Sequence, residues 1–283
     1  MPTTTQHDWQ STLAAIEEDC LQHGRNARPP SDEVLIFRGE GDYKPARPIR
    51  SRLRRCLDTH LEALEERRDE EAIEWALWQM EEEAIQATSH HLRGSKPLHH
   101  RLGYIPPLGT LEPEYDQILW KLQHQDGLTN RIDFTRSLFV ALFFACEPNG
   151  LDGSVTALTI PPHYTYPTRN PTRRDLDDPR YRRGVAYDVR RDFRQDLDDP
   201  RYSSQHAVLV TAWGGTIPRG SATLTCRVPA AQKPMIQNHL ERFHAISGET
   251  LFPDMRGAID AQRTRMQQLT QRELLDLTTI PSL

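Results

Sequence analysis

The sequence predicts an α+β fold in which helices surround a small mixed or antiparallel sheet. Three observations predict it. Helical periodicity opens and closes the chain, short β-type runs lie between, and the octet Leu138 to Ala145 is apolar throughout, which only a buried site accommodates.

Taken in order, residues 8 to 23 carry Trp9, Leu13, Ile16 and Cys20 on one helical stripe, and Gly24 is a natural stop. Val34 to Phe37 is a short buried strand. From Leu57 to about Leu92 the chain is helical and acidic, with Leu57, Leu61 and Leu64 on one stripe and Ile73, Leu77, Met80 and Ala84 on another. The charged run at 65 to 71 is a solvated face or a helix junction. A linker rich in His, Pro and Gly spans Arg93 to Thr110, Tyr115 to His124 is a helix, and Ile132 to Phe134 is extended. Gly153 to Ile160 alternates like a strand.

Pro161 to Tyr202 is the least globular stretch. It repeats the heptamer Asp-Leu-Asp-Asp-Pro-Arg-Tyr at 175 to 181 and 196 to 202, and residues 169–202 hold ten Arg and eight Asp, nearly self-neutralising. An ordered insertion, a mobile loop and an electrostatic dock for a protein target or regulatory partner all fit that composition, and a surface insertion open to such an interaction is the favoured reading. Ala207 to Ala212 and Ala222 to Val228 are strands joined by a turn at Gly214-Gly215. Pro234 opens a helix whose apolar positions are Ile236, Leu240 and Phe243, Gly248 closes it, and a last helix runs from about Met255 toward Leu275. The organisation is an N-terminal helix over 1–30, one domain over 31–260 with its insertion at about 161–202, and a C-terminal helix and tail over 261–283.

Composition narrows the function classes. With 37% apolar residues, a mean hydropathy of −0.68 and a net charge of −5, the chain is polar but able to build a core, and it is not basic enough for a dedicated nucleic-acid binder. The four cysteines are far apart and lack metal-ligand spacing, so free thiols in a reducing cytoplasm are expected. The histidine pairs at 90–91 and 99–100 have no carboxylate at a ligand-like spacing, and no metal site is predicted. The longest apolar run is far below the ~20 residues of a membrane span.

Three segments resemble the bacterial FRG-domain family, named for its Phe-Arg-Gly motif. The first is Ile36-Phe37-Arg38-Gly39-Glu40, followed by Ser51 to Arg55. The second runs from Gln123-His124 through Thr129-Asn130-Arg131-Ile132-Asp133-Phe134-Thr135 into the Val140 to Ala145 helix; Asp126 and Leu128 depart from the family's usual Gly and Lys. The third is Glu249-Thr250-Leu251-Phe252-Pro253-Asp254. This pattern is similar in turn to that of ADP-ribosyltransferases of the Arg-Ser-Glu class, which implies a sheet core of that type and NAD as substrate.

The resemblance implies roles for particular residues. Arg38 would hold the NAD diphosphate, since a guanidinium offers a planar fork to phosphate oxygens, and Gly39 would let backbone approach the ligand. Thr135 and Ser137, at a strand end leading into a helix, would support the nicotinamide pocket, with Gln123 and His124 lining it. A structural ion pair for Arg38 and a helix N-cap for Thr135 or Ser137 fit the same residue types. Such transferases carry Glu-x-Glu before a hydrophobic strand. The matching residues here are Gln205-His206-Ala207, so the second Glu is replaced by Ala207. Losing a preorganised charge of this kind costs several kcal/mol of transition-state stabilisation. Asp133, Glu40 or Glu249 would have to replace it, or His124 or His206 would serve a different reaction, or the pocket binds without turnover.

Three functional readings follow. The first is an NAD-binding ADP-ribosyltransferase-like effector, such as a toxin or an anti-phage defence protein. The second is a non-catalytic nucleotide-binding or partner-docking module. The third, less favoured, is a nucleic-acid-directed enzyme that tracks phosphates with Arg47, Arg50, Arg52, Arg54 and Arg55.

Overall fold

Consecutive apolar residues in a short strand mark one that is buried on both faces. The computed structural model, which describes residues 8–26, 34–44, 47–63, 69–94, 122–123, 127–160, 185–188, 204–217 and 223–253, puts such a strand at the centre. Helix α1 (Asp8–Asn26) comes first, then β1 (Val34–Glu40), in which neighbouring Ile36 and Phe37 are both buried. A two-residue strand β2 (Ile49–Arg50), helix α2 (Arg52–Ala63) and helix α3 (Glu70–Gly94) follow. Then come β3 (Ile132–Thr135), α4 (Leu138–Ala145), β4 (Gly153–Ile160), β5 (Val185–Asp188) and β6 (Ala207–Thr211). A 3₁₀ turn at Trp213–Gly215 leads to β7 (Thr216–Ile217), β8 (Thr223–Val228), α5 (Lys233–His244) and the single turn α6 (Gly248–Leu251).

The main sheet has six strands in the order β5-β6-β3-β1-β4-β8, with every neighbouring pair antiparallel, and β2 pairs with β7 in a separate ribbon. This is the α+β architecture that the sequence predicts. On one face Phe37, Val155, Ala157 and Val228 pack with α1, α4 and α5 through Ile16, Leu142, Ile236 and Leu240. On the other, Ile36, Phe134, Leu158 and Val210 meet Ile49 and Ile217 of the ribbon. Leu53, Leu57 and Leu61 of α2 pack against Ile73 and Leu77 of α3 in a third cluster.

Helix α4 has no polar face, and its position is set by glycine. A Cβ on Gly39 would overlap the carbonyl oxygen of Ala141, and one on Gly153 would overlap that of Ala145. The helix backbone therefore lies directly on β1 and the start of β4. Ser137 starts the helix as its N-cap, its Oγ accepting from Val140 N–H at 3.3 Å.

The helical stretch from Leu57 is two helices, in agreement with the junction reading of the 65 to 71 run, and Asp69 opens the second, its Oδ1 accepting from Ala72 N–H at 2.7 Å. Other elements differ from their sequence expectation. Strands β6 and β8 do not form a hairpin, because Gly214 and Gly215, at φ 57° and 61°, turn the chain into β7 and onto β2 instead. Gly248 does not close α5. Ala245, at φ 53°, does so, and Gly248 begins α6 under a capping box from Ser247. The Arg/Asp-rich insertion contributes β5, which extends the sheet beyond β6. The other residues of 161–203, the whole 95–121 stretch and the helix placed at 255–275 lie outside the described residues.

Gly39→Ala should destabilise the fold by about 1–3 kcal/mol through overpacking against helix backbone. Equilibrium denaturation measures this, and an unchanged midpoint would contradict the close α4–β1 approach.

Candidate functional site

Strand β1 pairs with β4 along its whole length, from Val34↔Ile160 to Glu40↔Ser154, but meets β3 at one register pair, Phe37↔Thr135. Beyond that pair the two strands part, and the carbonyls facing the gap lose their ladder donors. Arg38 fills the role: its Nη1 donates to Asp133 O at 2.8 Å. Its Nη2 donates to Glu40 Oε1 at 3.2 Å. Its Nε is buried without a hydrogen-bond partner among the described residues. Such an orphaned donor is costly inside a protein.

Asp133 lies on β3 at the same gap. Its Oδ2 accepts from Gln123 Nε2 at 2.6 Å, and the Gln123 amide oxygen accepts from the Thr129 hydroxyl. Asp133 keeps contact with solvent, yet protein crowds its carboxyl. That burial pushes it above the ordinary value, against the pull of Arg38, the Gln123 hydrogen bond and Arg55. The folded chain thus keeps this proton at pH values where the unfolded chain has lost it. Its contribution favours folding below about pH 3.9 and is lost as pH rises through the raised folded value. Asp133→Asn, neutral at every pH, should therefore gain stability relative to the wild type as pH rises from about 4 toward 7. Thermal unfolding of both proteins across that range measures the trend, and a pH-independent difference would sink it.

The remaining predicted site residues occupy the other end of β3. Thr135 Oγ1 donates to Gln205 O at 2.7 Å and accepts from Ser137 N–H at 3.0 Å, so it ties the strand end to both neighbours. Gln205 Nε2 donates to Leu251 O at 3.0 Å, joining this corner to α6. Ala207 stands in register opposite Thr135, so the residue that replaces the expected glutamate sits beside the strand end. His206 takes the left-handed region at φ 47°, and its carbonyl accepts from Arg136 N–H. His124 lies outside the described residues. The space beside Gly39 is taken by α4, so the close approach it permits is to a helix.

The arginine cluster at 47 to 55 divides into two sets, a distinction that composition does not carry. Arg54 is buried: its Nε donates to Asp58 Oδ1 at 2.7 Å and its Nη1 to Gly214 O at 2.5 Å. Arg50 reaches the other oxygen of Asp58 at 2.7 Å. Around them Ser51 Oγ donates to Asn130 Oδ1 at 3.0 Å, Asn130 N–H to Glu81 at 2.7 Å, and Gly214 N–H to Glu74 at 2.6 Å. Burial is the main cause raising the Glu74 carboxyl above its ordinary value. This buried network locks α2, α3, the Thr129-Asn130 loop and the glycine turn together. Arg55, the next residue, faces away from it toward Arg38 and Glu40. Arg54→Ala should cost about 3–5 kcal/mol, since it strands Asp58 and the Gly214 carbonyl. Denaturant titration reads this, and a loss below about 1 kcal/mol would contradict the network, since that is the worth of a surface pair.

Among the described residues no group of three or more His, Cys, Asp or Glu side chains is placed to hold a metal ion, and no helix is long and apolar enough to cross a membrane. Comparison with known families matches residues 33–153 to the FRG domain. No curated protein and no solved structure matches the chain.

Proposed function

Because residues 33–153 are an FRG domain, we propose that the chain binds an NAD-like dinucleotide at Arg38 and acts as an ADP-ribosyltransferase-like effector, a toxin or anti-phage protein. One observation carries the reading: Arg38, at the parting of β1 and β3, has one guanidinium edge on Asp133 O and Glu40 and a buried Nε without a partner among the described residues. A diphosphate oxygen suits that donor, because charge-assisted hydrogen bonds to a planar fork are short and strong. NAD would supply a glycosidic bond whose cleavage releases nicotinamide and leaves positive charge on the ribose. In that scheme Arg38 binds and orients, Thr135 fixes the strand end, and the Asp133 carboxyl, held by its hydrogen bond from Gln123, faces the gap. Residues 169–202 are the segment we assign to docking a protein target or regulator.

A second reading is a nucleotide-binding module without turnover, and Ala207 opposite Thr135 favours it, since no carboxylate stands at that register position. Arg50 and Arg54 share Asp58, which weakens the nucleic-acid reading of the arginine cluster. Arg38→Ala should weaken NAD binding by at least about tenfold, the scale of a lost hydrogen bond to a charged group. Calorimetric titration gives the affinity, and chromatography of NAD and nicotinamide gives turnover. Binding with intact NAD selects the module, and undiminished binding by Arg38→Ala removes the site assignment from both readings.

A further inference from the structure

At Glu40, the carboxylate that Arg38 pairs with, the surface folds into a shallow, open recess whose lining includes Glu40, Arg47, Pro48, Arg50 and Arg55. Arg55 belongs to the first turns of α2, where its N–H donates to Ser51 O at 3.1 Å, and its Nη1 donates to Arg50 O at 3.1 Å. Three cations on this surface have carboxylates assigned to them: Arg38 has Glu40, Lys44 has Asp42, and Arg50 has Asp58. Among the described residues no carboxylate pairs with Arg55. Burial and then the like charges of Arg38 and Arg47 bring its pKa below the ordinary arginine value, while Glu40 alone among its named neighbours opposes them. Arg55 thus brings to the recess a positive charge that no carboxylate pairs with among the described residues.

We propose that Arg55 is the second arm of a diphosphate seat, with Arg38 as the first, an assignment that rests on the dinucleotide reading above. The two guanidiniums come from different elements, a strand and a helix, and two separate forks match two linked phosphates better than one. The acidic rim, Glu40 and Asp42, limits the charge the recess accepts. A diphosphate diester, with one charge per phosphate, fits that limit; a triphosphate or a nucleic-acid backbone brings more charge against the carboxylates. Arg55 is well held for this role, because its neighbour Arg54 is anchored to Asp58 and Gly214 O and fixes the orientation of this turn.

The test titrates the full chain with inorganic pyrophosphate, ADP-ribose and NAD, using wild type, Arg55→Gln and Arg55→Lys, with thermal unfolding as a check on folding. Arg55→Gln is expected to weaken all three ligands by about tenfold or more, with an unfolding midpoint near that of the wild type. Arg55→Lys is expected to recover only part of the affinity, since an ammonium lacks the fork. Wild-type affinity for pyrophosphate and NAD in Arg55→Gln would overturn the seat and leave the NAD reading standing. Pyrophosphate held through Arg55 without affinity for NAD or ADP-ribose would overturn the NAD reading and leave the seat. Failure of wild type to bind any of the three would remove both.

Discussion

The carbonyl of Asp133 lies where β1 and β3 separate, and Arg38 supplies it with a donor across the gap. Much of the molecule's chemistry follows from this one bond. Buried backbone oxygens need partners, so strands that part must either admit water or bring a side chain across. Here the side chain is a cation, and it draws Glu40 and the Asp133 carboxyl into the same small region. A gap that is only a packing irregularity would be filled by a leucine. One bridged by arginine stays polar, charged and accessible.

The gap stays open because its two sides are held from behind. On β1, α4 lies against Gly39, and its backbone leaves no room for the strand to shift. On the other side, the Ser51, Arg54, Asn130 and Glu81 network fixes the loop that leads into β3. Each bond in that network is buried, where a missing partner is expensive, so the loop has little freedom to slide. Adjacent arginines on α2 divide the labour: Arg54 points into the network and Arg55 out to the recess.

Much of this was legible in the sequence. Apolar runs located β1, β3 and β4 within a residue or a few of their observed ends, and the Thr135 to Ser137 stretch announced a capped helix. Arg38 was legible through its motif, and Ala207 through the missing glutamate. The rest depends on contacts distant in the chain. Nothing in the spacing of Arg54 and Arg55 says that one meets Gly214 and the other lines the recess, because helical periodicity is blurred in an arginine-rich turn. Gly39 looked like a ligand contact, since the sequence cannot show that α4 returns to its open side. Val185-Ala186-Tyr187-Asp188 was hidden as a strand by the surrounding charge, and its pairing is decided by the edge that β6 offers. The turn at Gly214-Gly215 was read as local, whereas Arg54, Glu74 and Asn130 select its shape from elsewhere.

The packing of α1 has a consequence for how the chain is made. Its buried residues Leu13, Ile16 and Cys20 share a cluster with Cys226, Val228, Ile236 and Leu240, which a ribosome delivers roughly 200 residues later, tens of seconds at ordinary elongation rates. During that interval the helix has a greasy stripe whose β8 and α5 side is uncovered. Its acidic solvent side, with Glu17, Glu18 and Asp19, keeps the waiting segment in water. In the nascent chain α1 can therefore complete its packing only once β8 and α5 have been delivered.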